Sequence, residues 1–459
     1  MLDLFLFVFI MAVLALGVKK PFIWVLAYLY IDILAPQKIG WVIMPSVQIS
    51  LIAFCAAFGG WLLTDSKRGT SVTVRQLLML FLLGWSAMTA SWSAFPEAAA
   101  VKWDWVWKAL VFAIFLPFTL RTKLRIEAAA LTMVLTVGAI IISAGIKTAT
   151  GGGGYDVLAL FVRNNSGIYE SSTLSTVAVA IIPLILWFTR HGTIFAPDWR
   201  VKLFAYALIF ACLLTPIGTV ARTGLVCIAV LMVLALRDVK RRAMFVLAAG
   251  ALGVVALPFI PQTYYDRMAT IGSYDGDQSA STRVAVWMWT LDYVEENPLG
   301  GGFDAYRANR FEYRMPVEEG DGNNVSVRYE NVVDEARAYH SAFFEVLGEQ
   351  GWPGFFAWIA LQAMGLIQME RIRRRWRKRA SEGGGEGEQW QAPLAVSLQY
   401  AQIIYLVGAL FQGIAYQPFI LMLIGLQIAL ATYCKRLEKP RRKKRAPPPG
   451  SRFEHEWLR

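Results

Sequence analysis

His340 stands in Arg337-Ala-Tyr-His-Ser-Ala-Phe-Phe-Glu-Val-Leu-Gly348, where a long charged loop gives way to an apolar run. An imidazole titrates near neutrality, so one held at the mouth of a membrane-embedded cavity is suited to act as a general base. A histidine at a helix start also serves as a cap or an interfacial polar tip, and that reading stands beside the first. The other two histidines, His191 and His455, are expected on the opposite side of a membrane. Two arginines invite the same attention. Arg222, in Thr219-Val-Ala-Arg-Thr-Gly224, lies in a turn of a few residues between apolar spans, where a charge is expensive unless it has a function or snorkels to the interface. Arg283, in Ser281-Thr-Arg-Val-Ala-Val-Trp287, opens a segment with apolar residues at 284, 287, 288, 291 and 294. That stripe predicts an interfacial helix with the arginine in its first turn, stopped by Asn297-Pro-Leu-Gly-Gly-Gly-Phe303.

These residues need a scaffold, and composition says which kind. Of 459 residues 56% are hydrophobic and only 17% charged, with a mean hydropathy of +0.45. That is more apolar surface than a soluble domain of this size hides. Apolar stretches recur at about 2–18, 21–36, 42–63, 76–93, 103–120, 127–147, 173–189, 203–220, 223–236, 243–261, 352–369, 394–414 and 418–434. A span needs about 20 apolar residues, so the pattern predicts an all-α polytopic membrane protein with 12–13 transmembrane helices. With the N-terminus outside, the segments alternating to the inside hold 32 of the 45 Lys+Arg, including Arg371–Arg379 and Arg441–Arg445. Met1–Val18 lacks preceding basic residues and reads as a first span, not a cleaved signal peptide.

The expected organisation is ten helices over 1–261, one large outer loop over 262–341, three helices over 342–434, and a basic, disordered inner tail over 435–459. The net charge of +12 therefore marks topology and anionic lipid, and the basic tail lacks the aromatic interleaving of a nucleic-acid site. Cys55, Cys212, Cys227 and Cys434 all lie in or at the ends of spans, which predicts no disulfide framework and no zinc site.

The outer loop carries 14 Asp+Glu, 7 Arg and no Lys. An arginine-only choice fits forked recognition of phosphate or carboxylate, although pairing with neighbouring acids is the simpler role for Arg267, Arg307, Arg310, Arg314, Arg328 and Arg337. Further candidates are Arg163, Asn164 and Asn165, in a stretch that also reads as ordinary turn chemistry. Lys102 is a phosphate candidate among Trp103, Trp105 and Trp107, whereas Asp104 and Lys108 have salt-bridge spacing. Asp275-Gly-Asp277 and Glu318-Glu-Gly-Asp-Gly322 lack the ligand count and spacing of a calcium loop, so no metal is expected.

The blocks Ala221-Arg-Thr-Gly224, Ser281-Thr-Arg-Val-Ala-Val-Trp287 with Asn297–Phe303, and Tyr339-His-Ser-Ala-Phe-Phe-Glu-Val-Leu-Gly-Glu-Gln-Gly-Trp-Pro-Gly354 resemble, in order and spacing, those of the bacterial O-antigen ligase/polymerase superfamily. Lys19-Lys-Pro-Phe and Ala35-Pro-Gln-Lys further resemble the O-glycosylation ligases found beside exosortase systems. The resemblance implies a GT-C-like membrane fold with a large periplasmic loop containing short helices, in the bacterial inner membrane with its site facing the periplasm. It implies a glycosyltransferase that takes a glycan from undecaprenyl pyrophosphate and joins it to an acceptor hydroxyl of a lipid, glycan or protein, with neither metal nor other cofactor. By position His340 would be the base and Arg222 and Arg283 the pyrophosphate ligands, with Tyr339 a further donor or acceptor contact. A polymerase of the same superfamily remains open. So do a polyprenyl-glycan flippase and an envelope scaffold, although no internal repeat is visible and the polar candidates cluster on one face.

Overall fold

The computed structural model describes residues 2–67, 70–150, 166–239, 278–319, 326–383 and 386–438, with short stretches between 241 and 251. In order the helices are α1 (Leu2–Lys19), α2 (Phe22–Leu34), α3 (Pro36–Ile39), α4 (Ile43–Ser46), α5 (Ile49–Thr64), α6 (Val74–Ala90), α7 (Pro96–Thr119), α8 (Lys123–Ala149), α9 (Ser171–His191), α10 (Trp199–Gly218), α11 (Arg222–Leu236), α12 (Gln278–Glu296), α13 (Ala342–Ser381), α14 (Gln391–Ala409) and α15 (Pro418–Glu438). Among the described residues, α1, α8, α9, α10, α14 and α15 are long and apolar enough to cross a membrane, and α2, α5, α6 and α11 are shorter apolar helices. The molecule is an all-α polytopic membrane protein.

Its burial pattern fits a lipid solvent. Phe5, Val8, Leu62, Leu63, Leu77, Phe204 and Phe210 are large, apolar and exposed, while Arg75, Gln362, Gln402 and Gln427 are buried. Arg75 donates to Gln427 at 2.7 Å and to Gln368 at 3.1 Å. Helices α9, α14 and α15 form the centre, and α1 and α10 present most of their surface outward.

Several boundaries have visible causes. Thr73 and Gln76 form a capping box at α6, and Thr122 and Asp198 cap α8 and α10. The apolar run expected to span from residue 42 instead starts at Ile49, preceded by the four-residue helices α3 and α4. Asp3 stops it earlier, because its carboxylate accepts from the backbone N–H groups of Val42, Ile43 and Met44 at 2.9, 2.7 and 3.1 Å. The stretch expected as a span at 243–261 lies mostly outside the described residues.

The outer loop contains α12 and, beyond the short helices expected, an antiparallel hairpin of β1 (Arg310–Glu319) and β2 (Ser326–Glu335), registered Arg310 to Glu335. It closes when Ala336 N–H donates to Asn309 O and Asn309 Nδ2 to Arg337 O.

A backbone dock joins the loop to the bundle. The N–H groups of Gly301 and Gly302 donate to Gly348 O and Glu349 O at 3.0 and 2.9 Å, and Trp352 N–H donates to Pro298 O at 3.0 Å. Helix α13 is kinked there, because Gly351 has φ 61° and ψ −169°. Trp85 Nε1 donates to Gln350 O at 2.7 Å, so a carbonyl released by the kink finds a donor, and Trp92 Nε1 donates to Gly300 O of the loop at 3.0 Å. A Cβ at Gly351 would stand 2.3 Å from Pro298 O, and one at Gly300 2.4 Å from Gly351 N.

Gly351→Ala is therefore expected to lower thermal stability in detergent. The left-handed φ alone costs about 1 kcal/mol, and the clash is with backbone, which cannot swing away. Gly84→Ala is the control, since nothing lies within 4 Å of its Cβ position. Equal unfolding temperatures for the two variants would show the dock to be dispensable.

Candidate functional site

The ends of α2, α7, α9, α13 and α15 that meet at the loop enclose a cavity of about 630 Å³. Its wall includes Asp32, Lys38, Lys102, Asp104, Ser166, Asp304, Tyr339, His340, Glu345, Glu349, Tyr416 and Gln417.

His340 sits at the rim, exposed, with φ 46°. A non-glycine residue in that region is held there by its surroundings. Trp287 Nε1 donates to Tyr339 O at 2.8 Å, and the Trp287 ring stacks on Phe344 at 5.1 Å between centroids. Both flanks of His340 are thus fastened to α12. Arg283, one helical turn before Trp287, is close enough to act on the imidazole. Partial burial and the Arg283 charge lower the His340 pKa from its ordinary value, with Arg337 adding to them and Glu170 opposing. Glu170 is held in place by capping α9, accepting from Ser172 and Thr173 N–H at 3.1 and 2.7 Å.

Helix α12 begins at Gln278, earlier than the sequence suggested, so Arg283 falls in its second turn. Val284, Met288 and Leu291 face outward and exposed, while Val286, Thr290 and Val294 are buried. The exposed apolar stripe is what an interfacial helix shows to lipid.

Arg222 is the first residue of α11, after the 219–221 turn, where Val220 has φ 51°. Ser175 Oγ and Thr219 Oγ1 lie 2.7 Å apart and tie that turn to α9. Arg222 and Arg283 are not among the described residues that line the cavity. Arg163, Asn164 and Asn165 lie outside the described residues.

Lys102 occupies the opposite situation to a waiting phosphate ligand. Its Nζ is 2.7 Å from Glu345 Oε1, 2.6 Å from Glu349 Oε1 and 3.7 Å from Asp304 Oδ1. The rings of Phe303 and Tyr416 lie at 5.6 Å. Three carboxylates absorb its charge. Glu345 also accepts from Ala415 N–H at 3.0 Å, and Glu349 from Asp304 N–H at 2.9 Å. Burial, which outweighs the opposing pull of Lys102, raises the Glu349 pKa from its ordinary value. The Asp104–Lys108 pair expected from spacing forms at 3.0 Å. Arg307, Arg310 and Arg337 pair with nearby acids of the loop, as the simpler reading of these arginines expected.

Tyr339 is buried at the cavity floor, edge-on to Tyr306 at 5.6 Å. It fits only because residue 348 is glycine, where a Cβ would be 2.4 Å from the Tyr339 hydroxyl. Sequence reasoning did not pick out Lys38, Asp304, Glu170 or Gln417 as site residues. They come from elements far apart in the chain, and the Pro-Gln-Lys38 and Ser-Gly-Ile-Tyr-Glu170 segments carried the only local hint. Among the described residues no group of His, Cys, Asp or Glu is arranged to hold a metal ion.

Comparison with known families gives two matches, one of them covering about a third of the chain. Residues 207–359 match the family described as O-antigen ligase. That stretch contains Arg222, Arg283, His340 and the whole dock. It supports the O-antigen ligase/polymerase superfamily and, with it, a glycosyl-transferring membrane protein that handles a glycan-carrying lipid. The all-helical architecture agrees with the GT-C-like fold of O-antigen ligases. Residues 1–193 match a family of unknown function. No match was found among curated proteins.

Lys102→Met should leave the Glu345, Glu349 and Asp304 carboxylates facing one another without a cation, at a cost of about 3–5 kcal/mol. Thermal unfolding of the purified protein measures this, and adding Glu349→Gln should recover part of the loss. A Lys102→Met protein as stable as the parent would mean that the cluster is already neutral.

Proposed function

We propose that this protein is an O-antigen-ligase-like glycosyltransferase of the bacterial inner membrane, working on its periplasmic face. It transfers a glycan from undecaprenyl pyrophosphate to an acceptor hydroxyl. The observation that carries the reading is His340 at a cavity rim in a strained conformation, next to Arg283, inside the region similar to O-antigen ligases.

The acceptor hydroxyl gives its proton to the His340 imidazole while its oxygen bonds to the anomeric carbon. The bond from that carbon to the pyrophosphate oxygen breaks, and its electron pair leaves with undecaprenyl pyrophosphate. Attack opposite the leaving group inverts the anomeric centre. Arg222 and Arg283 stabilise the departing charge, the task a divalent ion performs elsewhere. A cation at the first position of α11 adds to the helix's own positive end, an arrangement that favours an anion. A lowered His340 pKa supports the role, since only the neutral ring accepts a proton.

The acceptor class follows the likeness of Lys19-Lys-Pro-Phe and Ala35-Pro-Gln-Lys to exosortase-associated ligases, which favours an exported protein or surface glycan. A polymerase would use the same base and the same clamp. Separating lipid-linked glycans, lipopolysaccharide and glycoproteins after gene deletion distinguishes them by which acceptor class loses its glycan.

His340→Ala should cut transfer by about 10²–10⁴-fold in a reconstituted assay, with donor binding and protein level retained. His191→Ala should change nothing. The rate should fall as pH drops through a value below the ordinary histidine range, and Arg283→Met should move that limb upward. Near-normal transfer by His340→Ala would remove the base and turn attention to Glu345 and Glu349.

Orientation follows from Lys/Arg density, with 262–341 outside and 370–393 inside. In intact spheroplasts an impermeant thiol reagent should label a cysteine at Ser326 and spare one at Ser381. The reverse pattern would put the site on the wrong face.

A further inference from the structure

Two lysines line the cavity, and they are treated differently. Lys102 is neutralised by three carboxylates. Lys38 is held only by neutral oxygens, Ser166 Oγ at 2.8 Å and Ser166 O at 3.1 Å, and no acid lies within ion-pair distance of it among the described residues. A partly buried ammonium whose partners among the described residues are neutral is a cost to the fold, and an anion brought to it removes that cost.

The local backbone is built to hold Lys38 in this position. Ala35 has φ 47°, which turns the chain out of α2 into the one-turn helix carrying Lys38. Tyr169 hydroxyl donates to Leu34 O at 2.5 Å, clamping the end of α2 against the 166–170 turn. Gly167 has φ 64°, and a Cβ there would stand 2.9 Å from Lys38 Nζ and 3.4 Å from Gln417 Oε1. The glycine therefore lets ammonium, turn and amide converge.

We infer that Lys38 binds the pyrophosphate of the lipid-linked donor from inside this cavity, as a further cation beside Arg222 and Arg283, which stabilise the departing charge from outside its wall, and that it can do so because no described acid compensates it. The inference rests on the proposed transfer reaction and assigns the donor's charged group a place within it. The alternative wall is unsuitable, because Asp304, Glu345 and Glu349 outnumber Lys102 and repel an anion.

The test uses full-length protein in lipid nanodiscs and undecaprenyl pyrophosphate as the probe, with undecaprenol as the uncharged control. Lys38→Met should weaken pyrophosphate binding about tenfold to hundredfold, the worth of a charge-assisted hydrogen bond, and leave undecaprenol binding unchanged. Lys38→Arg should keep most of the affinity. Ser166→Ala removes a tether without removing the charge, and binding should stay within about threefold of the parent. A Ser166→Ala loss as large as that of Lys38→Met would mean that Lys38 only fastens the turn, and the inference falls. Unchanged pyrophosphate binding by Lys38→Met, with or without weaker transfer of acidic glycans, also overturns it and leaves the transfer reaction standing. A parent protein that binds undecaprenol and undecaprenyl pyrophosphate equally would overturn both.

Discussion

The site depends on one backbone-to-backbone contact, that of Gly300–Gly302 against Gly348–Trp352. A helix entering a bilayer must satisfy every polar group it exposes, and a kink at Gly351 releases carbonyls that water would otherwise reach. Here the loop supplies donors to Gly348 O and Glu349 O, Trp85 of α6 supplies one to Gln350 O, and Trp92 holds the loop at Gly300 O. Because the loop is fixed at the kink, α12 is fixed too. From α12, Trp287 and Arg283 reach the two sides of the His340 peptide and ring. The same contact brings Asp304 N–H to Glu349, so the carboxylate cluster around Lys102 is assembled by the same few hydrogen bonds.

Electrostatics then divides the cavity. One wall gathers Asp304, Glu345 and Glu349 around a single ammonium, and burial raises the Glu349 pKa against the pull of that ammonium. The rim holds a histidine whose pKa is lowered by partial burial and by the Arg283 charge, with Arg337 adding to them. Acidic and basic side chains thus face different parts of one cavity of about 630 Å³.

How much of this was legible in the sequence varies with the physics. Helices were legible because hydrocarbon permits little else. Asp3 shortening a span was not, since nothing local says that a residue near the start will cap a turn some forty positions on. The hairpin was missed although Phe311, Tyr313, Met315 and Val317 alternate with polar residues, because charge content dominated the reading of that loop. His340 and Tyr339, singled out through their block, line the cavity, whereas Arg283 stands outside its lining. Lys102 was found too, but its neutralisation was invisible, since its partners lie some two hundred or more residues away. Lys38 passed unnoticed as a site residue because a lysine after Pro-Gln in a short turn resembles any interfacial anchor.

The cavity wall is also a seam. Asp32, Lys38 and Lys102 come from the stretch matching a family of unknown function, whereas Asp304, His340, Glu345 and Glu349 come from the stretch matching O-antigen ligases. A further strip, Gly413 to Phe419, comes from neither. A cavity assembled from two such regions has walls that are free to vary separately, so substitutions at Asp32 or Lys38 reshape one side while the backbone dock that holds the His340 rim is left as it is.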